Sequence, residues 1–543
     1  MSIVDLSRAS REDALATMES REFDVLVIGG GVVGAGCALD AATRGLDTAL
    51  VEAADWASGT SSRSSKLIHG GLRYLEMLDF HLVREALRER ELLMDSLAPH
   101  LVRPVSFLYP LTHRVWERAY AGSGIALYDF MARRSGDSPA PNRHRHLSHR
   151  AALEKAPALR PDALIGAIEY FDAQVDDARF TMMLARTAAS HGATIASRAK
   201  VTDVARSQDR VTGAQIVDME TRRSFSVRAK VIISATGVWS GETQALAETE
   251  NPLRVRASKG VHVLIRRSRL ALSTGLILRT ESSVLFVIPW NEYWIIGTTD
   301  TDYREGKDDP RASDADIEYL LAHVNEVLTT PLERDDIVGV YAGLRPLLDG
   351  GADATAKLSR EHTVSQPRPG LVVVAGGKFT TYRVMAEDAV DLAVEGLDRV
   401  VPKSRTNDVV LVGGEHWTSI WDARHQLALE YDLDARWIEH LLLRYGSLTS
   451  QVLDVINQDR SLAAPLEGSG DYLKAEALYA VSHEGALHLE DVLARRTHVM
   501  MESSDHGVAA ARSVGEIIAP LLGWDQSRVR EELATYDSAA GSS

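Results

Sequence analysis

The feature that most constrains the fold is a glycine-rich turn between two apolar strands near the start of the chain. An apolar run at Val25–Ile28 leads into Gly29, Gly31 and Gly34, and a second apolar run ends at Glu52. In this G-x-G-x-x-G spacing, the first glycine permits a tight turn, the second lets backbone approach a pyrophosphate, and the third lets helix and strand pack closely. The N-terminus of the helix presents unpaired N–H groups and a positive dipole end to the phosphates. The pattern therefore predicts a βαβ unit that binds a dinucleotide.

Glu52 narrows the choice of dinucleotide. It follows the glycines by about 20 residues, where a carboxylate accepts hydrogen bonds from ribose hydroxyls and repels a 2′-phosphate. NADP is therefore not expected. The glycine pattern alone does not separate FAD from NAD.

Length and charge limit what the rest of the chain can be. Its 543 residues are too many for one hydrophobic core, so two or three domains are expected. The net charge of −16 argues against nucleic acid as a partner. The single cysteine, Cys37, excludes an intrachain disulfide and fits a reducing cytoplasm. No metal site is expected, because the clustered histidines lack acidic or cysteine companions at metal-ligand spacing.

Hydropathy predicts a cytoplasmic protein. The chain has no secretory apolar region and no apolar run of about 18 residues that could span a membrane. Peripheral attachment at the inner face of the cell membrane stays open, because it needs only an amphipathic face. We interpret the basic run Asn142–Arg150 as an exposed loop before a helix, with contact to an anionic surface such as phospholipid as the alternative. The oligomeric state is also open, with a homodimer as one candidate.

Strand and helix patterns divide the chain into an α/β part, a second sheet and a helical part. Strands within 254–300 alternate in polarity and are joined by short polar turns, which predicts an antiparallel sheet. The sequence after about residue 412 has helical spacing. The expected divisions are an N-terminal tail at 1–22, read as a polar tail or a short helix, a nucleotide-binding domain at 23–253 and 351–405, a substrate-binding sheet domain at 254–350, an all-α C-terminal domain at 406–535 and a disordered tail at 536–543.

A second glycine-rich turn favours FAD over NAD. Gly376, Gly377 and Lys378 follow an apolar strand and precede a helix, so another helix N-terminus faces a ligand. Reduced flavin carries negative charge at N1 and the C2 carbonyl oxygen, whereas reduced nicotinamide is neutral. The segment Ser61–Glu76 adds small hydroxyl residues and a Gly-Gly pair that would let backbone approach a flat ring.

At this point the chain resembles the FAD-dependent glycerol-3-phosphate dehydrogenases, a membrane-associated and quinone-reducing family. The matching segments are SSKLIHGGLRYLE (Ser64–Glu76), YFDAQVDDARF (Tyr170–Phe180), ATGVWS (Ala235–Ser240), SKGVH (Ser258–His262), AGLRPLL (Ala342–Leu348) and GGKFTTYR (Gly376–Arg383). The first and last are the most specific, whereas ATG recurs in other flavoproteins of the glycine/D-amino-acid oxidase type. The resemblance covers about residues 20–530 and implies a Rossmann-like FAD-binding domain of that type.

The resemblance also implies a set of site residues. Its expected substrate-binding residues are Arg73, Tyr74, His262, Arg345, Arg360 and Lys378, with His262, Arg73 and Lys378 expected to take part in catalysis. Its expected cofactor-binding residues are Gly29, Gly31, Gly34, Glu52, Ser64, Ser65, Lys66, His69, Gly70, Gly71, Thr236, Gly237, Gly376, Gly377, Lys378, Phe379 and Thr380. The arginine pair, Arg345 and Arg360, would clamp a phosphate, because planar guanidiniums match its oxygens.

The implied reaction is oxidation of sn-glycerol 3-phosphate to dihydroxyacetone phosphate, by hydride transfer from C2 to N5 of FAD. His262 is the natural base for the hydroxyl proton, since its unperturbed pKa lies near physiological pH. The alternative is a histidine that only donates or accepts a hydrogen bond. A quinone is expected to reoxidise the cofactor. The competing functions are an oxidase that uses oxygen, an amine or amino-acid oxidase of the same fold, and a non-catalytic FAD-binding protein.

Overall fold

The structure, a computed structural model, describes residues 3–71, 80–113, 122, 125, 127, 144–249, 253–280, 284–348 and 361–540. The strands in these ranges are β1 Glu22–Ile28, β2 Thr48–Val51, β3 Leu67–Ile68, β4 Val102–Leu111, β5 Arg145–Ser148, β6 Gly166–Val175, β7 Thr194–Ala196, β8 Ala199–Ser207, β9 Arg210–Asp218, β10 Ser224–Ser234, β11 Val255–Arg266, β12 Gly275–Arg279, β13 Val284–Trp290, β14 Tyr293–Gly297, β15 Thr301–Tyr303, β16 Ile337–Leu348, β17 His362–Arg368 and β18 Leu371–Gly376.

The α-helices in the same ranges are α1 Arg8–Ser20, α2 Val32–Thr43, α3 Phe80–Leu92, α4 His149–Lys155, α5 Asp177–Ser190, α6 Ser240–Leu246, α7 Asp314–Asn325, α8 Tyr382–Val394, α9 Trp417–Asp422, α10 Arg424–Tyr431, α11 Ala435–Tyr445, α12 Thr449–Gln458, α13 Lys474–Ser482, α14 Val499–Glu502, α15 Val508–Leu522 and α16 Gln526–Ala540.

The first sheet is the predicted nucleotide-binding sheet. Its strand order is β17-β18-β10-β1-β2-β7, and β1 lies parallel to both β2 and β10. The crossover from β1 to β2 is α2, which packs its buried small residues against the sheet. Because the strands from β18 to β7 are parallel, their carboxyl ends meet at one edge. The predicted Rossmann-like topology is confirmed.

The second sheet is larger than the sequence predicted. Its order is β15-β11-β14-β13-β12-β4-β6-β3, with β16 on β11 and β5 on β6. The predicted substrate-binding domain at 254–350 supplies only part of it, because β3 to β6 come from earlier in the chain. The pairing of β4 with β6 joins segments separated by more than fifty residues, and local periodicity carries no sign of it.

Residues 1–22, expected to form a polar tail or a short helix, contain the helix α1, which begins with a capping box between Ser7 and Ser10. Two other local predictions need correction. The predicted disordered tail at 536–543 is wrong for residues up to Ala540, since α16 runs to that residue and Tyr536 is buried. The basic run 142–150 is not simply a loop, because its described residues form β5 and the start of α4.

Buried ion pairs fasten the C-terminal helices to the first sheet. Arg495 and Arg496, in a π-helical turn, both contact Asp55 with nitrogen-to-oxygen distances of 2.6–2.8 Å. Arg179 of α5 likewise meets Glu484 at 2.7 Å. In the described ranges, no helix is long and apolar enough to cross a membrane.

Candidate active site

A cavity of about 1290 Å³ is lined by residues of both sheets. One part of its wall comes from the turn after β1 and the loop that follows β2. Another comes from the ends of β10 and β18, and a third from the facing strands β11 and β16. The carboxyl edge of the first sheet therefore opens onto one face of the second sheet.

The glycines after β1 form the tight turn that the sequence predicts. Gly29 has a φ of +112°, and a β-carbon added at Gly34 would lie 1.8 Å from the carbonyl oxygen of Gly29. Gly31 is the N-cap of α2 and provides no side-chain cap. Instead, the amide of Val32 donates to the hydroxyl of Ser61 at 3.0 Å. The helix N-terminus therefore faces the cavity across a backbone surface with almost no side chains.

Glu52 lies at the end of β2 and lines the cavity. Its carboxylate accepts hydrogen bonds from the amides of Gly30 at 2.6 Å and Ala54 at 2.8 Å. Burial raises the pKa of this carboxyl above its usual value, although the two amide hydrogen bonds oppose the shift. The carboxylate is thus held at the cavity wall beside the glycine turn.

The second glycine turn follows β18 at the same sheet edge. Gly376 and Gly377 have φ values of +79° and +76°, and a β-carbon at Gly377 would lie 2.4 Å from the sulfur of Met385. Lys378, Phe379 and Thr380 continue along the cavity wall before α8 begins. The residues Thr236 and Gly237, at the end of β10, line the cavity as well.

His262 lies on β11 with its imidazole almost fully buried at the cavity wall. Its Nε2 is 2.8 Å from the hydroxyl of Ser65, and its ring stacks on Tyr341 with centroids 4.7 Å apart and planes 11° apart. Burial lowers the pKa of His262 well below 6.5, and the positive charges of Arg345 and Lys66 add to the shift. The ring is therefore fixed in orientation and neutral at physiological pH.

Strand pairing places Arg345 on the same face of the sheet as this histidine. In the antiparallel β11–β16 register His262 pairs with Tyr341, so Arg345, four residues further along β16, is on the same face. Its guanidinium donates to the carbonyl of Thr299 and the hydroxyl of Thr298, both at 3.1 Å. A β-carbon at Gly260 would lie 2.5 Å from the guanidinium of Arg345. The absence of a side chain at Gly260 therefore leaves room for that guanidinium.

The segment 64–66 is held from behind by Asp177, the first residue of α5. One carboxylate oxygen accepts from the amide of Ser64 at 2.9 Å and from its hydroxyl at 2.6 Å. The other accepts from the ammonium of Lys66 at 2.6 Å. Tyr341 donates its hydroxyl to the carbonyl of Ser64 at 2.9 Å. This network fixes Ser65, which in turn contacts His262.

Several predicted site residues are placed differently from the expectation. Lys66 was expected to contact the cofactor, but its side chain is fully buried against Asp177 and does not line the cavity. Gly70 also lies away from the lining, whereas Gly71 and His69 are part of it. Gly34 does not line the cavity, and its close approach to Gly29 is the packing role that the sequence predicts. Arg73, Tyr74 and Arg360 lie outside the described residues.

Among the cavity residues that sequence reasoning missed are Arg63, Trp239 and Arg495. Arg63 stands inside the hydroxyl-rich segment, and its charge among serines was an available signal. Trp239 is the fifth residue of the segment ATGVWS and packs against Gly59. Arg495 comes from the C-terminal helical part, and nothing in its local sequence indicated that it would reach the cavity.

Comparison with known proteins agrees with this architecture. A family model described as FAD dependent oxidoreductase matches residues 24–392. A second, described as the C-terminal domain of alpha-glycerophosphate oxidase, matches residues 404–529. The structure of the glycerol-3-phosphate dehydrogenase from Bacillus halodurans complexed with FAD superimposes with a TM-score of 0.82 at 28% identity, covering 98% of each chain.

Curated relatives match over nearly the whole chain. Glycerol-3-phosphate dehydrogenase 2 of Mycobacterium tuberculosis is 52% identical over 531 residues, covering 98% of this chain and 90% of the relative. The mitochondrial glycerol-3-phosphate dehydrogenase of Homo sapiens is 37% identical, covering 97% of this chain and 74% of the relative.

Proposed function

The chain belongs to the FAD-dependent glycerol-3-phosphate dehydrogenase family, and we propose that it oxidises sn-glycerol 3-phosphate to dihydroxyacetone phosphate. The observation that carries the proposal is the juxtaposition of His262 and Arg345 on one strand pair, facing the cavity that the glycine turns form. This oxidation requires a base for the hydroxyl proton and a cation for the substrate phosphate, both at one end of a dinucleotide cavity.

The cavity residues fit FAD. The turn has no room for side chains at Gly29 and Gly34 and exposes the N-terminus of α2, as a pyrophosphate site requires. Glu52 would bind the ribose hydroxyls, and the turn at Gly376 and Gly377 would lie beside the flavin. When bound, FAD supplies the acceptor for the hydride from C2 of the substrate.

His262 would take the proton from the C2 hydroxyl. Because its pKa is held low, the imidazole keeps a free lone pair at neutral pH. Ser65 and Tyr341 would hold the ring in place, so that no reorientation is needed during the reaction. The buried wall around the ring limits access of water to the proton.

Arg345 would bind the phosphate of the substrate. Its guanidinium is already fixed by Thr298 and Thr299 and lies 3.6 Å from Asp300, so its orientation costs little entropy on binding. Lys378 would lie between flavin and substrate. Arg73, Tyr74 and Arg360 complete the proposed substrate set by family resemblance.

For the final electron acceptor we propose a quinone, as the dehydrogenase relatives and the family resemblance favour. A specific observation favours a second candidate, since the C-terminal model is described as that of an alpha-glycerophosphate oxidase. Turnover in air, followed for peroxide and for reduction of a soluble quinone, separates the two. Stoichiometric peroxide with no quinone reduction would identify oxygen as the acceptor.

We also propose peripheral contact with a membrane surface and assembly into a homodimer.

The substrate is tested by anaerobic mixing of the purified yellow protein with glycerol 3-phosphate, glycerol or glycine. We expect the visible flavin absorption to bleach with glycerol 3-phosphate alone, since the other two lack the phosphate that Arg345 would bind. Bleaching by glycine, with none by glycerol 3-phosphate, would instead select an amino-acid oxidase.

A further inference from the structure

Arg63 is a cation at the cavity wall that the mechanism above does not use. It lies in the loop that links the first sheet to β3, and its side chain lines the cavity. Its guanidinium makes no hydrogen bond or ion pair with any residue in the described ranges. A half-buried guanidinium that faces a cavity and has no protein acceptor is suited to binding an anion.

The neighbouring cation is not available for that purpose. Arg495 also lines the cavity, but it contacts Asp55 at 2.6 Å, Asp491 at 2.6 Å and Glu490 at 2.8 Å. These carboxylates already pair with its charge, although Arg496 shares Asp55 and Arg198 shares Asp491. Arg63 therefore supplies positive charge that Arg495 does not.

The loop that carries Arg63 contacts the N-terminus of α2. Ser61, two residues earlier, accepts the hydrogen bond from the amide of Val32 in the first turn of that helix. The helix dipole provides only about half a positive charge at this end. A pyrophosphate carries two negative charges, so a backbone cradle alone leaves most of that charge unbalanced.

The charged groups that act on Arg63 differ from those that act on His262. Burial and the charge of Arg495 lower the pKa of Arg63, while Glu490 and Asp309 oppose the shift. None of these groups is among the charges that act on His262. The two cations that do act on His262 belong to the substrate end and its supporting loop.

We propose that Arg63 is the side-chain cation that binds the pyrophosphate of FAD. Its planar fork would donate to the phosphate oxygens opposite the amides of α2, so the anion is held from two sides. Binding of FAD at this point does not depend on which substrate the other end of the cavity takes.

The test is the release of FAD from the full-length holoenzyme after dilution, followed by the rise in flavin fluorescence. We expect Arg63→Ala to speed release about 10- to 100-fold, the range for losing charge-assisted hydrogen bonds, and Arg63→Lys to have an intermediate effect. The control is Arg223→Ala, which removes an exposed cation that pairs with Glu19 on the same domain. It should leave release unchanged.

A competition experiment locates the contact within FAD. The full-length chain is first stripped of FAD, and ADP or adenosine then competes with FAD for rebinding. Arg63→Ala should raise the inhibition constant of ADP about 10-fold and that of adenosine less than twofold. Equal weakening for ADP and adenosine would overturn the assignment, as would unchanged FAD release in a variant with a normal circular dichroism spectrum. A raised KM for glycerol 3-phosphate with unchanged FAD release would instead place Arg63 at the substrate phosphate. Loss of substrate bleaching in the unmutated protein would count against the proposed reaction only.

Discussion

The two ends of the cavity differ in whether backbone or side chains form the wall. The nucleotide end is mostly backbone, contributed by one contiguous stretch around Gly29, Gly31 and Gly34 and by a second turn at Gly376. The substrate end is made of side chains, with His262 and its neighbours on β11 and β16 and Ser65 from a separate loop. Backbone recognises the phosphates that all dinucleotides share, whereas the side chains select what is oxidised. Substitutions at the two ends should therefore fail in different ways.

The largest effect is expected from Gly34→Ala. The added carbon would lie 1.8 Å from the carbonyl oxygen of Gly29, which is backbone and cannot move aside cheaply. The purified variant should contain no FAD, as measured by flavin absorption per mole of protein. Gly241→Ala is the matched control, since no atom lies within 4 Å of its added carbon. Normal FAD content in Gly34→Ala would show that the nucleotide end is not limited by backbone packing.

The next effect concerns the attachment of the C-terminal helices to the nucleotide end. Asp55→Ala leaves the guanidiniums of Arg495 and Arg496 buried without their shared carboxylate. Loss of one partner from a buried pair costs about 3–5 kcal/mol in the free energy of unfolding. Urea denaturation measures it. Removing Glu531 from its exposed pair with Arg528 should cost less than about 1 kcal/mol, and equal losses would contradict the account.

Arg345→Ala should affect the substrate end alone. We expect KM for glycerol 3-phosphate to rise about 10- to 100-fold with FAD content unchanged, because a phosphate contact is lost. Arg345→Lys should recover part of this loss, since it keeps the charge without the planar fork. Steady-state kinetics with a soluble quinone measures both. An unchanged KM would remove Arg345 from the phosphate site.

The smallest effect is a pH dependence of stability that arises far from the substrate end. His488 contacts Glu220 and Glu532, each at 2.9 Å, and so links the C-terminal helices to the first sheet. Burial opposes protonation, but these two hydrogen bonds raise the pKa of His488 from 6.5 to about 10. The folded-state pKa is raised, so the stabilisation is complete below pH 6.5 and is lost as pH rises through about 10.

The free energy of unfolding in urea should fall between pH ~6.5 and ~9.5 as His488 loses its proton. His488→Gln should make this fall smaller by about 1–2 kcal/mol, a figure that allows for partial solvent screening. The kinetics of substrate oxidation at neutral pH should not change. A variant with the same pH dependence as the unmutated protein would exclude His488 as its source.

The contrast between the two ends also explains what could be predicted from the sequence. The turn at Gly29 and the acid at Glu52 follow from local spacing, because the βαβ unit is one contiguous segment. His262 and Arg345 were implied by family resemblance, and the register that brings them together required the pairing of β11 with β16.

Long-range contacts set the limit of the sequence analysis. Lys66 looked like a ligand-binding lysine, and only the fold shows that it forms an ion pair with Asp177, more than a hundred residues away. The β4–β6 pair and the reach of Arg495 into the cavity are equally non-local. Such contacts depend on tertiary packing and leave no periodic signal in either segment.

The central claim is that His262 accepts the substrate proton at the end of the cavity that does not hold the nucleotide. The most direct test is the rate of anaerobic flavin reduction by saturating glycerol 3-phosphate in His262→Asn, measured by stopped flow against the unmutated protein. We expect a rate about 10²- to 10⁴-fold lower, the usual contribution of a positioned base, with normal FAD content. A rate within a few-fold of that of the unmutated protein would contradict the claim.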